Sequence, residues 1–215
     1  MLLCSLLQAP HSSLIRAALV AATPNGATCA LDLACGSGAY TPCLAATCAP
    51  GALVLGLDRD QQALKLASVN QRLVGDGLNL PLRSAVFDLI WCSAALSLFA
   101  DRAQALSEMV RILRPGGALV VTVAGERWVR RRTWPSELPP ALPLPPADAL
   151  GSELCDELRA AGLSHCHLSA YLLEPAGLAA DAAQLPLADG FPAMPLAIGE
   201  PEPLPVLLVA RAFLR

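Results

Sequence analysis

The stretch LDLACGSGAY, residues 31–40, limits the fold more than any other part of this chain. An apolar run stops at Asp32, passes through Ala34-Cys35-Gly36-Ser37-Gly38, and resumes as a helical pattern. Glycine permits positive φ and close backbone approach. A buried strand, a glycine turn and a helix N-terminus in succession make a nucleotide cradle. Such a cradle is built on a parallel sheet, so the rest of the chain must supply further strand–helix units.

It does so. Residues 12–22 read as a helix with a Ser cap, ended by Pro24-Asn25-Gly26. Residues 29–34 form the first strand, and 39–48 a helix that tolerates Pro42 in its first turn. After a Pro50-Gly51 turn, ALVLGL (52–57) is a second strand ending at Asp58. A helix over 60–70 turns Leu64, Leu66 and Ala67 to the core, and a short third strand lies near 72–74. VFDLIW (86–91) and ALVVTV (118–123) are the fourth and fifth strands. Between them, 101–113 is an amphipathic helix capped by Asp101 and stopped by Pro115-Gly116-Gly117, with Leu106, Met109, Val110 and Leu113 on one stripe. A helix over 151–161 and strands over 165–173 and 205–213 complete the chain. Continuous apolar strands alternating with helices predict an α/β, doubly wound, mostly parallel sheet.

The 215 residues suit one domain (1–215) with a substantial core. Within it, 1–27 is expected to be a helical cover, 28–123 the ligand-binding core, 124–150 a lid, and 151–215 a C-terminal helix and strands. The Pro/Gly-rich stretch 174–204 is expected as a long connection. A hydrophobic fraction of 54% against 15% charged excludes global disorder. A net charge of −3 carries no basic excess of the kind that nucleic-acid binding requires.

Eight cysteines (Cys4, Cys29, Cys35, Cys43, Cys48, Cys92, Cys155 and Cys166) show no CxxC pair and no zinc-like spacing, so no metal is expected. They read as small buried hydrophobes in a reducing cytosol. Cys43 and Cys48 lie too awkwardly on one predicted helix to pair. The N-terminus lacks a leading positive region, Arg16 interrupts its second apolar run, and no apolar run approaches membrane-spanning length. The expectation is a cytoplasmic protein without stable membrane insertion.

Ligands of open α/β sheets sit at the carboxyl ends of the strands. Those ends carry Asp32, Gly36, Gly38, Asp58, Asp76, Gly77, Cys92 and Ser93. Asp58 stands 20 residues beyond Gly38, a spacing that lets a carboxylate reach ribose hydroxyls. The dinucleotide fingerprint fails because its third glycine is Thr41, and no phosphate-binding Lys pattern is present. The ligand therefore reads as a nucleoside without a pyrophosphate.

LDLACGSG, LGLDRD, VGDGLNLPLRSAVFDLIWCSAALSLFAD and RILRPGG, in this order and spacing, resemble the class I S-adenosylmethionine-dependent methyltransferases. The nearest group is the type 11, quinone-methyltransferase-like kind. The resemblance covers about residues 28–123, implies a seven-stranded Rossmann-like sheet, and names S-adenosyl-L-methionine as cofactor. It implies that Asp32 and Ala34 orient the turn by the cofactor's amino acid end. Gly36 and Gly38 admit its methionine and ribose portions, and Asp58 with its neighbour Arg59 holds the ribose. Asp76 and Gly77 meet the adenine, and Cys92 and Ser93 flank the methionine part.

Two positions depart from the family's pattern. Alanine stands at 34 where glycine is frequent, and Ser97 and Leu98 replace a histidine pair after the fourth strand. Serine alone cannot act as a general base near neutral pH, so the catalytic residue stays open. Of the three histidines, His165 and His167 begin the sixth strand at the edge opposite the cofactor, while His11 belongs to the N-terminal cover. His11, Tyr40, Ser97, Trp128 and Arg131 are the candidate acceptor-binding residues. Trp128 and Arg131 belong to ERWVRRRTW (126–134), a run that reads by composition as a solvated basic loop and, because it follows strand five on the ligand face, as a lid whose arginines meet an anionic acceptor with a tryptophan as apolar wall. The fourth strand ends in WCSA rather than the Asn/Asp-Pro-Pro-aromatic signature of base-amino methylation, which again disfavours nucleic acid.

The expected function is methyl transfer from S-adenosylmethionine to a small-molecule or lipid-like acceptor. A non-catalytic S-adenosylmethionine-binding protein of the same fold is the alternative, and Thr41 disfavours an oxidoreductase. The acceptor, the atom methylated and the oligomeric state are not encoded in these motifs.

Overall fold

The structure, a computed structural model, describes residues 12–67, 69, 71–130, 147–172, 184–185 and 201–215. Helix α1 (Ser12–Ala22) leads into strand β1 (Ala27–Leu33). Helix α2 (Thr41–Thr47) runs into β2 (Cys48–Asp58), and α3 (Gln61–Leu66) precedes β3 (Gln71–Val74). Strand β4 (Phe87–Ser93) is followed by a 3-10 turn over Leu96–Leu98, helix α4 (Arg102–Ile112) and β5 (Leu113–Arg130). Helix α5 (Ala147–Ala160), β6 (Leu163–Leu172), β7 (Gln184–Leu185) and β8 (Pro201–Leu214) follow.

The sheet order is β3-β2-β1-β4-β5-β8-β6-β7. The five strands from β3 to β5 pair parallel, and β8 runs antiparallel to both β5 and β6. This is the expected mostly parallel sheet of seven main strands. Its edge gains the two-residue β7, which lies in the stretch read as a pure connection.

The strands are apolar on both faces because helices cover both. Successive residues alternate between two cores: Ile90 and Cys92 in one, Leu89 and Trp91 in the other. Leu119 and Val121 against Val120 repeat the pattern on β5. The first core takes Leu106 and Met109 from α4 and Leu154 and Leu158 from α5. The second takes Ile15, Ala18 and Leu19 from α1 and Leu44 from α2. Thr23 closes α1: its hydroxyl donates to Leu19 O at 2.6 Å and accepts from Trp91 Nε1 at 2.8 Å, so the buried indole N–H is satisfied.

Several boundaries differ from the sequence reading, each for a physical reason. Pro50-Gly51 falls inside the span of β2, where the register jumps from Ala27↔Cys48 to Cys29↔Leu53. The turn survives as an excursion within the strand, with Gly51 at φ +80°. Pro115-Gly116-Gly117 is a similar excursion between Phe87↔Leu113 and Leu89↔Ala118. Helix α3 is shorter than 60–70. Asp60 caps it by accepting from Gln62 N and Ala63 N, but Ala67 is already extended where it meets the glycine turn. Leu64 and Ala67 are buried as expected, whereas Leu66 is 76% exposed.

Strand β5 continues beyond Val123 through Arg130 because β8 pairs with it as far as Arg130↔Pro201. Of the rest of the segment read as a lid, residues 131–146 lie outside the described residues, as does His11, and residues 147–150 open α5. No described helix is long and apolar enough to cross a membrane.

Candidate functional site

The carboxyl ends of β1, β2, β3 and β4 meet at one edge of the sheet. Adjacent strands hold Leu33↔Leu57, Asp58↔Val74 and Asp32↔Trp91 in register, and Ser93 pairs with Thr122 on β5. The turn after β1 begins with Ala34 in the left-handed region (φ +57°), and Gly36 and Gly38 follow at +54° and +73°. Cys35 N donates to Leu57 O and Gly38 N to Cys35 O, which bends the chain back over β2.

Asp58 fixes this turn directly. Its Oδ2 accepts from Gly36 N at 2.7 Å and its Oδ1 from Asp60 N at 2.8 Å. A carboxylate has about four lone-pair sites, so two acceptor positions are left for a ligand. A Cβ placed on Gly36 would have no protein atom within 4 Å, so the space over this residue is open. Gly38 is the opposite case, since a Cβ there would lie 3.1 Å from Ala67 Cβ.

Asp32 is 2% exposed. Its Oδ2 accepts from Thr41 Oγ1 at 2.6 Å. Burial pushes its carboxyl up to about 6, against the Thr41 hydrogen bond and with a small push from Asp58. Thr41, which breaks the dinucleotide fingerprint, is thus the hydroxyl that serves Asp32; the sequence showed the break and not this role. Burial likewise pushes the thiols of Cys35 and Cys92 up to about 12, so neither is a nucleophile at neutral pH.

Asp76 is exposed, and its Oδ1 accepts from Leu78 N at 3.0 Å in a tight turn. Gly77 is buried against Phe99, whose Cε1 an added Cβ would overlap. Helix α4 holds the segment after Gly77 at four points. Gln104 Nε2 donates to Leu78 O, Leu80 N donates to Glu108 Oε2 at 2.7 Å, and Arg111 donates to the carbonyls of Leu80 and Leu82. Glu108 and Arg111 are joined by two hydrogen bonds of 2.7 and 2.8 Å. Arg111 raises no flag in the sequence beyond its place in RILRPGG, and Glu108 none at all.

At the end of β4, Ala94 is left-handed (φ +54°), and its amide donates to Thr122 Oγ1 at 2.9 Å. Ser93 Oγ lies 3.2 Å from the same hydroxyl. Ser97 is exposed in the turn that follows. Arg59 is exposed beside Asp58. Tyr40 precedes α2 and packs against the core beneath α1. Trp128 lies on β5 opposite Pro203, and Arg131 lies outside the described residues. His165 and His167 lie on β6 near Ser164↔Phe213, at the level where β8 meets Ala118, the residue at which β5's parallel pairing with β4 resumes after its register shift. That is the edge opposite the carboxylates.

Asp32, Asp58 and Asp76 end three neighbouring strands, and among the described residues none forms an ion pair with Lys or Arg. Acceptor-only groups around an open glycine turn suit hydroxyl and ammonium donors and repel phosphate. These acceptors therefore fit S-adenosylmethionine, with its ribose diol, amino groups and sulfonium charge.

The strand order and the strand-end site define the class I methyltransferase fold. A SAM-dependent methyltransferase from Thermotoga maritima superposes with a TM-score of 0.63 at 19% identity, covering 95% of this chain and 89% of that one. The [4+2]-cyclase SpnF does so with 0.61 at 19% identity, over 95% and 83%. At that identity the likeness is one of fold. Residues 31–121 match the family described as methyltransferase domain. The chain is 39% identical over 100 residues to demethylmenaquinone methyltransferase of Lactiplantibacillus plantarum, covering 42% of each chain. With the enzyme of the same name from Corynebacterium kroppenstedtii it shares 43% over 93 residues, covering 42% of this chain and 39% of the relative. The match thus spans about two-fifths of these relatives.

Proposed function

We propose that this chain is an S-adenosylmethionine-dependent methyltransferase acting on a lipid-like, quinone-type acceptor. The observation that carries this reading is the coincidence of two things. The stretch that matches the methyltransferase-domain family, residues 31–121, is the stretch that builds the open turn over Gly36 and the carboxylates at the strand ends, and the chain also resembles demethylmenaquinone methyltransferases.

In this reading Asp58 and Arg59 hold the ribose, Asp76 and Gly77 the adenine, and Asp32, Ala34, Gly36, Gly38, Cys92 and Ser93 surround the amino acid portion. When bound, S-adenosylmethionine supplies a methyl carbon already activated by a sulfonium. The protein's own work is orientation, and positioning of an acceptor near that carbon accounts for much of the acceleration. Thr41 keeps the Asp32 side chain in one rotamer, and the Asp58–Gly36 hydrogen bond keeps the turn open. The clamp of Glu108 and Arg111 fixes the Gly77 segment.

On the acceptor side, Leu98 is 68% exposed in the turn after β4, which suits an apolar substrate. Ser97 beside it, with His11, Tyr40, Trp128 and Arg131, completes the proposed acceptor set.

The test is turnover, followed as S-adenosylhomocysteine formation, with demethylated quinols in detergent against small amines and free phenols. Methylation confined to the quinols supports the proposal. Methylation of amines alone, or tight cofactor binding with no turnover on any acceptor, contradicts it.

A further inference from the structure

Helix α5 and strand β6 meet at a pair of thiols. Cys155 Sγ and Cys166 Sγ are 2.9 Å apart, and both residues are partly exposed. The contact follows from an irregularity in β6. The ladder with β8 slips between Ser164 and His167, and His165 takes a left-handed φ of +51°. Bulges of this kind re-aim the side chains they carry, and here the bulged segment brings Cys166 against α5. A non-glycine residue held in the left-handed region is strained, and such strain persists only where the surroundings enforce it.

Cys155 differs from the other described cysteines whose thiols shift, while its partner Cys166 is pushed up by their mutual hydrogen bond and by burial. Burial pushes the thiols of Cys29, Cys35, Cys48 and Cys92 up. The Cys155 thiol is pulled down to about 7, first by its hydrogen bond with Cys166 and further by Arg159, against burial and Asp156. Arg159, one turn along α5, donates to Asp156 at 2.8 Å and remains mostly exposed. A thiolate is the reactive form of cysteine, and here a second sulfur is already within reach.

We propose that Cys155 and Cys166 form a reversible redox site, oxidised by a hydroperoxide to a disulfide that staples α5 to β6. The Cys155 thiolate attacks the peroxide O–O bond and takes one oxygen as a sulfenic acid, while the other leaves as hydroxide. The Cys166 sulfur then attacks the Cys155 sulfur. The S–S bond forms, the S–O bond breaks, and the departing hydroxide takes the Cys166 proton. Two thiols lose two electrons, and hydrogen peroxide becomes two waters. A low-molecular-weight thiol reverses the step.

The full chain is treated with hydrogen peroxide, quenched by alkylation, and mapped by trypsin without reductant. Cleavage after Arg159 separates the two cysteines. The proposal predicts an intact mass lower by two hydrogen atoms, a cross-linked peptide pair joining Cys155 to Cys166, a raised melting temperature, and reversal of all three by dithiothreitol. Cys155→Ala and Cys166→Ala should each abolish the mass loss while leaving S-adenosylhomocysteine binding unchanged. The unmutated protein's peptide map decides the matter even if a variant folds poorly. Separate alkylation or oxygen adducts at Cys155 and Cys166, or earlier oxidation of Cys35 or Cys43, would overturn it.

Discussion

Asp58 Oδ2 accepts the amide proton of Gly36 at 2.7 Å, joining the end of β2 to the turn after β1. One carboxylate therefore shapes the turn and faces the space above it. The bond links two motifs that lie 22 residues apart in the chain, and it explains why they must occur together. The turn alone would be a loop with several accessible shapes, and the carboxylate alone would be a surface charge.

Gly36 and Gly77 should respond differently to alanine. At Gly36 the added Cβ meets open space but stands on a left-handed backbone, which costs about 1–2 kcal/mol. The larger effect should be on cofactor affinity, because the methyl enters the cradle. At Gly77 the Cβ runs into the Phe99 ring, and overpacking of this kind costs about 1–3 kcal/mol. Urea melts and calorimetric titration with S-adenosylhomocysteine separate the two effects. Equal loss of stability and equal loss of affinity in both variants would contradict the assignment.

Ala34→Gly should stabilise the fold by up to about 1 kcal/mol, since glycine removes the left-handed penalty but gains unfolded-state entropy. Ala94→Gly should behave alike, because its φ is also positive. A clear destabilisation in denaturant midpoints would show that the methyl groups contribute packing that outweighs the strain.

Asp32 makes stability depend on pH with an unusual sign. Its carboxyl is raised to about 6 in the fold, above its unfolded value, so the native state binds the proton more tightly. Between about pH 4 and 6 the native protein holds more protons than the unfolded chain. Stability contributed by this group is present below that window and lost as pH rises through it. About two pH units correspond to roughly 3 kcal/mol. Asp32→Asn removes the titration, so its stability relative to wild type should rise by about 2–3 kcal/mol from pH 4 to pH 7. A difference constant across that range rules out the buried carboxylate as its source.

Glu108→Ala should leave Leu80 N without its acceptor and Arg111 without its partner. Loss of a largely buried pair member of this kind costs about 2–4 kcal/mol. Glu108→Gln keeps an acceptor for Leu80 N and should recover at least half of that loss. If the two variants unfold at the same urea concentration, the clamp does not hold the Gly77 segment.

The alternation of apolar strands with helices made the sheet legible, because two-sided burial leaves a continuous hydrophobic run on β1, β4 and β5. Asp101 signalled its helix start through the same capping chemistry that the structure shows. Legibility failed where long-range pairing decided the outcome. The extension of β5 through Arg130 depends on β8, some eighty residues later, and no local pattern encodes it. Leu66 looked like a core residue because the helix was read too long; once α3 stops at Leu66, that side chain points to solvent. The contact between Cys155 and Cys166 depends on a bulge, which spacing alone cannot reveal.

Asp58 also provides the most direct test of the central claim that this edge binds S-adenosylmethionine. Isothermal titration of wild type and Asp58→Ala with S-adenosylmethionine, and separately with NAD, measures it. Two charge-assisted hydrogen bonds from ribose hydroxyls are worth about 1.5–3 kcal/mol each. The account predicts saturable binding of S-adenosylmethionine, none of NAD, and affinity at least about tenfold weaker in Asp58→Ala with its melting transition retained. Equal affinity in the two proteins, or preference for NAD, would contradict it.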